Sequence, residues 1–265
     1  MDPKMGFETE AEKRGLVVRD DEADFAALRE AASGRKRREG RLRLVDSGRF
    51  SAVELEWLGK AGAEIYTSDR ARPRAAEVVF LSAAARTGGA AVSFFHHGPL
   101  EPEEAGPALG LPDLREIAEN GVYLALSASP RPRDPGTLVV LAAAARRGRS
   151  PLVYYHHGPL GPWLEDLARE GAWIHAVYPP PDGRGDDDSL RRTACAAEAA
   201  GGGLVVHVRK PADPNRLEDL SAAGARLVFE RPPSDFRSRL RRLEERAARR
   251  PLDPRAGYLY PEFMR

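Results

Sequence analysis

The chain has 265 residues, with 41 basic and 40 acidic side chains and a net charge of +1. This length suits two ordinary domains or one α/β barrel of ~250 residues, and the charge balance argues against a global attraction to nucleic acid or to an anionic membrane. A single cysteine, Cys195, excludes an intrachain disulfide and a cysteine-built metal knot. With no secretory h-region and no run of ~18 apolar residues, a soluble, cytoplasmic protein is expected.

In chain order, residues 1–41 read as a helical extension and a basic linker. "DEADFAALREAAS" (Asp21 to Ser33) has the spacing of one amphipathic helix, and "GRKRREGR" follows as a solvated connector. From residue 42 to 250 the chain repeats itself. Four segments align without gaps: "LEWLGKAGAEIYTSD" from Leu55, "LREIAENGVYLALSA" from Leu114, "LEDLAREGAWIHAVY" from Leu164 and "LEDLSAAGARLVFER" from Leu217. Each has two apolar positions three apart, as on one helix face, then a glycine, then a short apolar run. Gly62, Gly121, Gly171 and Gly224 stand where a helix C-cap needs positive φ, and the run after each reads as a strand.

A second set of strands precedes these segments: "LRLVDSG" from Leu42, "VSFFHHG" from Val92, "LVYYHHG" from Leu152 and "LVVHVRK" from Leu204. Alanine-rich helical stretches lie between, and "SDFRSRLRRLEERAARR" closes the series. Strand and helix thus alternate through eight units. Such alternation calls for a parallel sheet with right-handed crossovers. The expected fold is a (β/α)8 barrel of the TIM type with a fourfold (βα)2 internal repeat. The alternative is an open, doubly wound parallel sheet. Residues 251–265 form a tail whose Tyr258, Tyr260 and Phe263 suit docking on the body or on a partner subunit.

In a parallel barrel, function gathers at the C-terminal ends of the strands. All six histidines fall there. His97, His157 and His207 are the expected catalytic residues, because strand alternation places them on one face with Arg209. Ser47, Asp69, Arg70, His96, His156, His175, Arg209, Lys210 and Glu230 are expected to bind substrate, with His96 and His156 at the rim. The doubled "HHGPL" also reads more plainly, as a copied turn built on Gly-Pro.

Three chemistries fit. In the first, histidine acid/base groups act on a small, polar, anionic metabolite held by Arg209, Lys210 or Arg70, as an isomerase, lyase or hydrolase would. In the second, His97, His157 and His207 hold a divalent metal ion and the protein is a metal-dependent hydrolase. In the third, a noncatalytic barrel uses its Arg- and Pro-rich loops to bind or scaffold a partner. Glycosidase chemistry needs two carboxylates facing one pocket, and alternation turns Asp46 away from Asp69 and Glu230. No G-x-G-x-x-G follows a strand and no phosphate-binding P-loop occurs, so no nucleotide cofactor is expected. The expected cofactor is thus none or a divalent metal ion. The expected partner is a small-molecule substrate, with neither nucleic acid nor membrane, and with room for a homo-oligomer.

Overall fold

The computed structural model describes residues 17–34, 41–100, 109–128, 133–179, 187–209 and 212–229. Lys210, Glu230, the last expected helix and the tail lie outside the described residues. Nine strands alternate with eight helices among those described. In order they are β1 (Val17–Arg19), α1 (Phe25–Gly34), β2 (Arg43–Val45), α2 (Ala52–Ala61), β3 (Glu64–Ser68), α3 (Ala75–Thr87), β4 (Val92–His96), α4 (Leu111–Glu119) and β5 (Tyr123–Ser127). There follow α5 (Pro135–Arg147), β6 (Val153–His156), α6 (Trp163–Arg169), β7 (Trp173–Tyr178), α7 (Asp187–Ala199), β8 (Gly203–Val208), α8 (Pro214–Ala222) and β9 (Arg226–Phe229).

The chain forms two compact units. The first takes residues up to Ala125 together with Arg147–Ser150, and the second takes Leu126–Arg146 and Pro151 onward. In the first unit β1–β2, β2–β3 and β3–β4 pair in parallel. In the second, β6–β7, β7–β8 and β8–β9 do the same. Neighbouring strands follow sequence order in both. A doubly wound sheet reverses its strand order at a switch point, and neither unit does. The fold class is α/β, with the parallel, sequential β/α order of the (β/α)8 type.

β1 is an addition to the elements expected from sequence. It has three residues and runs straight into Asp20, Asp21 and Glu22, too short a stretch to show a period of two. It is nonetheless built like the other strands. The Asp20 amide donates to the Val45 carbonyl, just as the Asp69 amide donates to Phe95 and the Ala128 amide to Tyr155.

The helices start and stop for local reasons. Ser51 caps α2 through a capping box, its hydroxyl taking the Glu54 amide while Glu54 reaches back to the Ser51 amide. Gly62 ends the same helix at φ 106°, and Gly121, Gly171 and Gly224 also have positive φ. Gly88 ends α3 for a different reason. A Cβ there would overlap the carbonyl oxygen of Gly59, so only glycine lets the ends of α2 and α3 come this close.

Register separates the two faces of each sheet. In the first unit Leu44, Ile65 and Val92 form one row, and Ile65 packs under Gly59 of α2. In the second, Tyr154 and His156 meet the indole of Trp163 in α6, with ring centroids 5.8 and 5.4 Å apart. These are the helix-covered faces. Residues one step along the strands face the other way. They are Arg43, Glu64, Tyr66 and Phe95 in the first unit, and Tyr155, His175, Val205 and His207 in the second.

Candidate functional site

In the first unit the strand ends are devoted largely to holding loops. Asp46 is buried and takes Arg72 in a two-pronged ion pair, Nε to Oδ2 at 2.8 Å and Nη2 to Oδ1 at 3.0 Å. The Thr67 hydroxyl and the Gly48 amide complete its shell. Arg72 also donates to the Phe50 carbonyl. Asp20 accepts the Ser47 amide at 3.0 Å. The expected substrate residue Ser47 is thus exposed, with its backbone pinned.

Asp69 has the same role at the end of the next strand. Its Oδ2 accepts the His97 and Gly98 amides, each at 2.8 Å. His96 Nδ1 lies 3.0 Å from that oxygen, in close contact but outside hydrogen-bond geometry. Burial pushes the Asp69 carboxyl up, yet the His96 contact and the two amides outweigh it and hold the group below its ordinary range. Arg70 is exposed beside it.

His96 and His156 do not stand at the rim. They are only 2% and 5% exposed, on the helix-covered faces of β4 and β6. Each ring places Nε2 against the carbonyl of its own Gly-Pro turn, His96 to Pro99 at 3.2 Å and His156 to Pro159 at 3.0 Å. They fasten the turn that follows them. The copies differ at one point. Where the first has Asp69, the second has Ala128, and His156 Nδ1 is buried with no partner. Burial depresses the His156 pKa, against the pull of the Pro159 and Gly158 backbone and with the help of His157. His97 is half-buried on the other face of the first unit, 6.3 Å from the Phe95 ring.

The second unit gathers the chemistry. β7 and β8 set His175 opposite Val205 and Val177 opposite His207, so the two histidines are diagonal neighbours on the face away from the helices. His175 Nδ1 lies 3.0 Å from His207 Nε2. Tyr155 packs against His175 with centroids 4.6 Å apart and the rings tilted by 34°. His157 follows β6 on this face, half-buried, and Arg209 follows β8, exposed. Burial is the main cause that pushes the His207 pKa down to about 3, and His175, Arg209 and His157 add to it. Burial and then Arg209 depress His157 as well. His157 and His207 are therefore neutral imidazoles at physiological pH, in the field of a permanent cation.

The sequence singles out His157 and His207 as catalytic and offers His175 and Arg209 as substrate contacts. The pairing of His175 with His207 depends on strand register, which a single strand does not disclose. Asp20 and Arg72 are not among the sequence candidates. The position of Asp20 one strand before Asp46, aligned with Asp69, is the available signal. For a metal, the expected trio finds no support in donor geometry: among the described residues no group of three or more His, Cys, Asp or Glu side chains gathers to hold an ion. A shallow groove elsewhere, on the outer helices of the second unit, has Arg192 and Arg191 paired to Glu165 at 3.4 Å and Asp188 at 3.1 Å and brings no histidines together. Among the described residues no helix is long and apolar enough to cross a membrane.

No family model and no curated protein matches the chain. Similar solved structures include a xylose isomerase domain protein from Planctomyces limnophilus, 13% identical with a TM-score of 0.40, covering 89% of this chain and 98% of that one. A deoxyribose phosphate aldolase from Aeropyrum pernix is 15% identical, with a TM-score of 0.36 and coverage of 86% and 87%. The 3-dehydroquinate dehydratase from Aquifex aeolicus VF5 is 13% identical, with a TM-score of 0.35 and coverage of 89% and 97%.

Proposed function

We propose that the protein is an enzyme that moves a proton on a small anionic metabolite, at the strand ends of its second unit. The observation that carries this reading is the pair of depressed, neutral imidazoles, His157 and His207, in the field of Arg209. A neutral imidazole accepts a proton, and an exposed guanidinium at the strand end attracts a carboxylate or phosphate. The two properties are coupled. An anion bound at Arg209 offsets the positive field on His157 and His207 and raises both pKa values toward the working pH, where general acid/base catalysis is most effective. The base thus becomes stronger when substrate arrives. Isomerase and lyase chemistry, each beginning with proton abstraction, fit this arrangement.

The test needs no prior substrate. The chain is incubated in D2O with a panel of small hydroxy and keto acids and sugar phosphates, and proton NMR follows exchange at carbon. Exchange in the native protein should fall by roughly 100-fold or more in His207→Ala and His157→Ala. No exchange across the panel, or exchange that survives both substitutions, contradicts the reading.

A further inference from the structure

We infer that His175 and His207 form a two-ring proton relay, an inference that rests on the acid/base reading above and gives His175 a role in it. The ring centroids are 5.3 Å apart and the facing nitrogens 3.0 Å apart. For two five-membered rings, 5.3 Å is about as long as such a contact allows. Both nitrogens and both ring centres therefore lie nearly on one line, so each facing nitrogen points straight at the other. That geometry suits a single shared proton. It does not suit a metal ion, which needs both lone pairs turned toward a third point.

A neutral pair carries two protons, and one of them bridges. In the first state His175 donates Nδ1–H to His207 Nε2, and His207 keeps its other proton on Nδ1. In the second His207 donates Nε2–H to His175 Nδ1, and His175 keeps its other proton on Nε2. Passage between them is a relay. A proton arrives at His175 Nε2, the bridging proton crosses from His175 Nδ1 to His207 Nε2, and the proton on His207 Nδ1 departs. One proton enters, one leaves, and the pair ends neutral. The reverse sequence carries a proton the other way.

The surroundings favour this over a charged pair. His157 and Arg209 both act on His207 to disfavour imidazolium, and both rings are almost wholly buried. Tyr155, packed against His175 at a tilt of 34°, and the diagonal register of β7 and β8 hold the two rings beside each other. His175 is thus a positioning and proton-carrying partner of His207.

The relay makes an unusual demand: the two rings must hold the same tautomer at any instant, both Nδ1–H or both Nε2–H. Histidine-selective 15N labelling of the full chain, with two-bond proton–nitrogen correlation at neutral pH, reads this directly. The expected result is matching tautomers, or matching averages when exchange is fast. In His175→Phe the His207 tautomer equilibrium should change, and its pKa should rise from about 3. If that variant does not fold, the native spectrum still decides. Opposite tautomers, or an imidazolium on either ring at neutral pH, overturn the relay whatever the D2O experiment shows. Matching tautomers that exchange between the two states, with no substrate exchange, support the relay and count against the acid/base reading alone, whereas one tautomer locked on both rings is a static hydrogen bond and overturns the relay.

Discussion

His207 illustrates how a single residue ties stability to pH here. Its folded pKa of about 3 lies well below the ordinary imidazole value of 6.5. A depressed pKa contributes stability above the unfolded value and loses it as pH falls toward the folded one. Acidifying from about pH 6.5 to about pH 4 should therefore cost roughly 3 kcal/mol through this group. Asp69, also depressed, adds its own loss at lower pH, through the carboxylate range. Urea unfolding at the two pH values should show the acid penalty shrink in His207→Leu; an unchanged penalty contradicts the buried, neutral ring. Arg72 makes a second residue-scale prediction. Arg72→Ala leaves Asp46 buried without its cation and should cost about 3–5 kcal/mol in urea unfolding, whereas a cost below ~1 kcal/mol, as for an exposed pair, contradicts the geometry. Sequence points to histidines at strand ends because His96, His97, His156 and His157 end or follow an apolar run, whereas His175 and His207 lie within the strands Trp173–Tyr178 and Gly203–Val208. It points neither to the Asp46–Arg72 pair nor to His175–His207, since both join residues from different elements through register.

At the scale of elements, the repeat does much to reveal the fold. The spacing of apolar pairs, the capping glycines and the short apolar runs each imply a helix end and a strand start, and the structure has them at those places. β1 escapes because three residues among charges carry no periodicity. The close approach of α2 and α3 escapes as well, because a glycine at a helix end reads as a cap and not as a contact. That contact gives a sharp test. Gly88→Ala must push the Gly59 carbonyl aside and part the two helix ends. It should destabilise by about 1–3 kcal/mol, the usual cost of overpacking. Were the substitution neutral or stabilising, as for a plain Gly-to-Ala exchange in a helix, the two helix ends could not lie this close.

For the whole molecule, the duplicated "HHGPL" separates into two tasks. The first histidine of each pair fastens its own turn from the helix-covered face. The second stands on the opposite face, and in the second unit it joins His175, His207 and Arg209. The central claim is that this cluster is a neutral acid/base site tuned by an anion at Arg209. Histidine-edited NMR titration of the native chain and Arg209→Ala, with and without inorganic phosphate, tests it most directly. Phosphate should raise the pKa of His157 and His207 in the native chain. Arg209→Ala should raise the His157 pKa without phosphate and abolish the response to it. A His157 pKa that moves with neither phosphate nor Arg209→Ala would contradict the account.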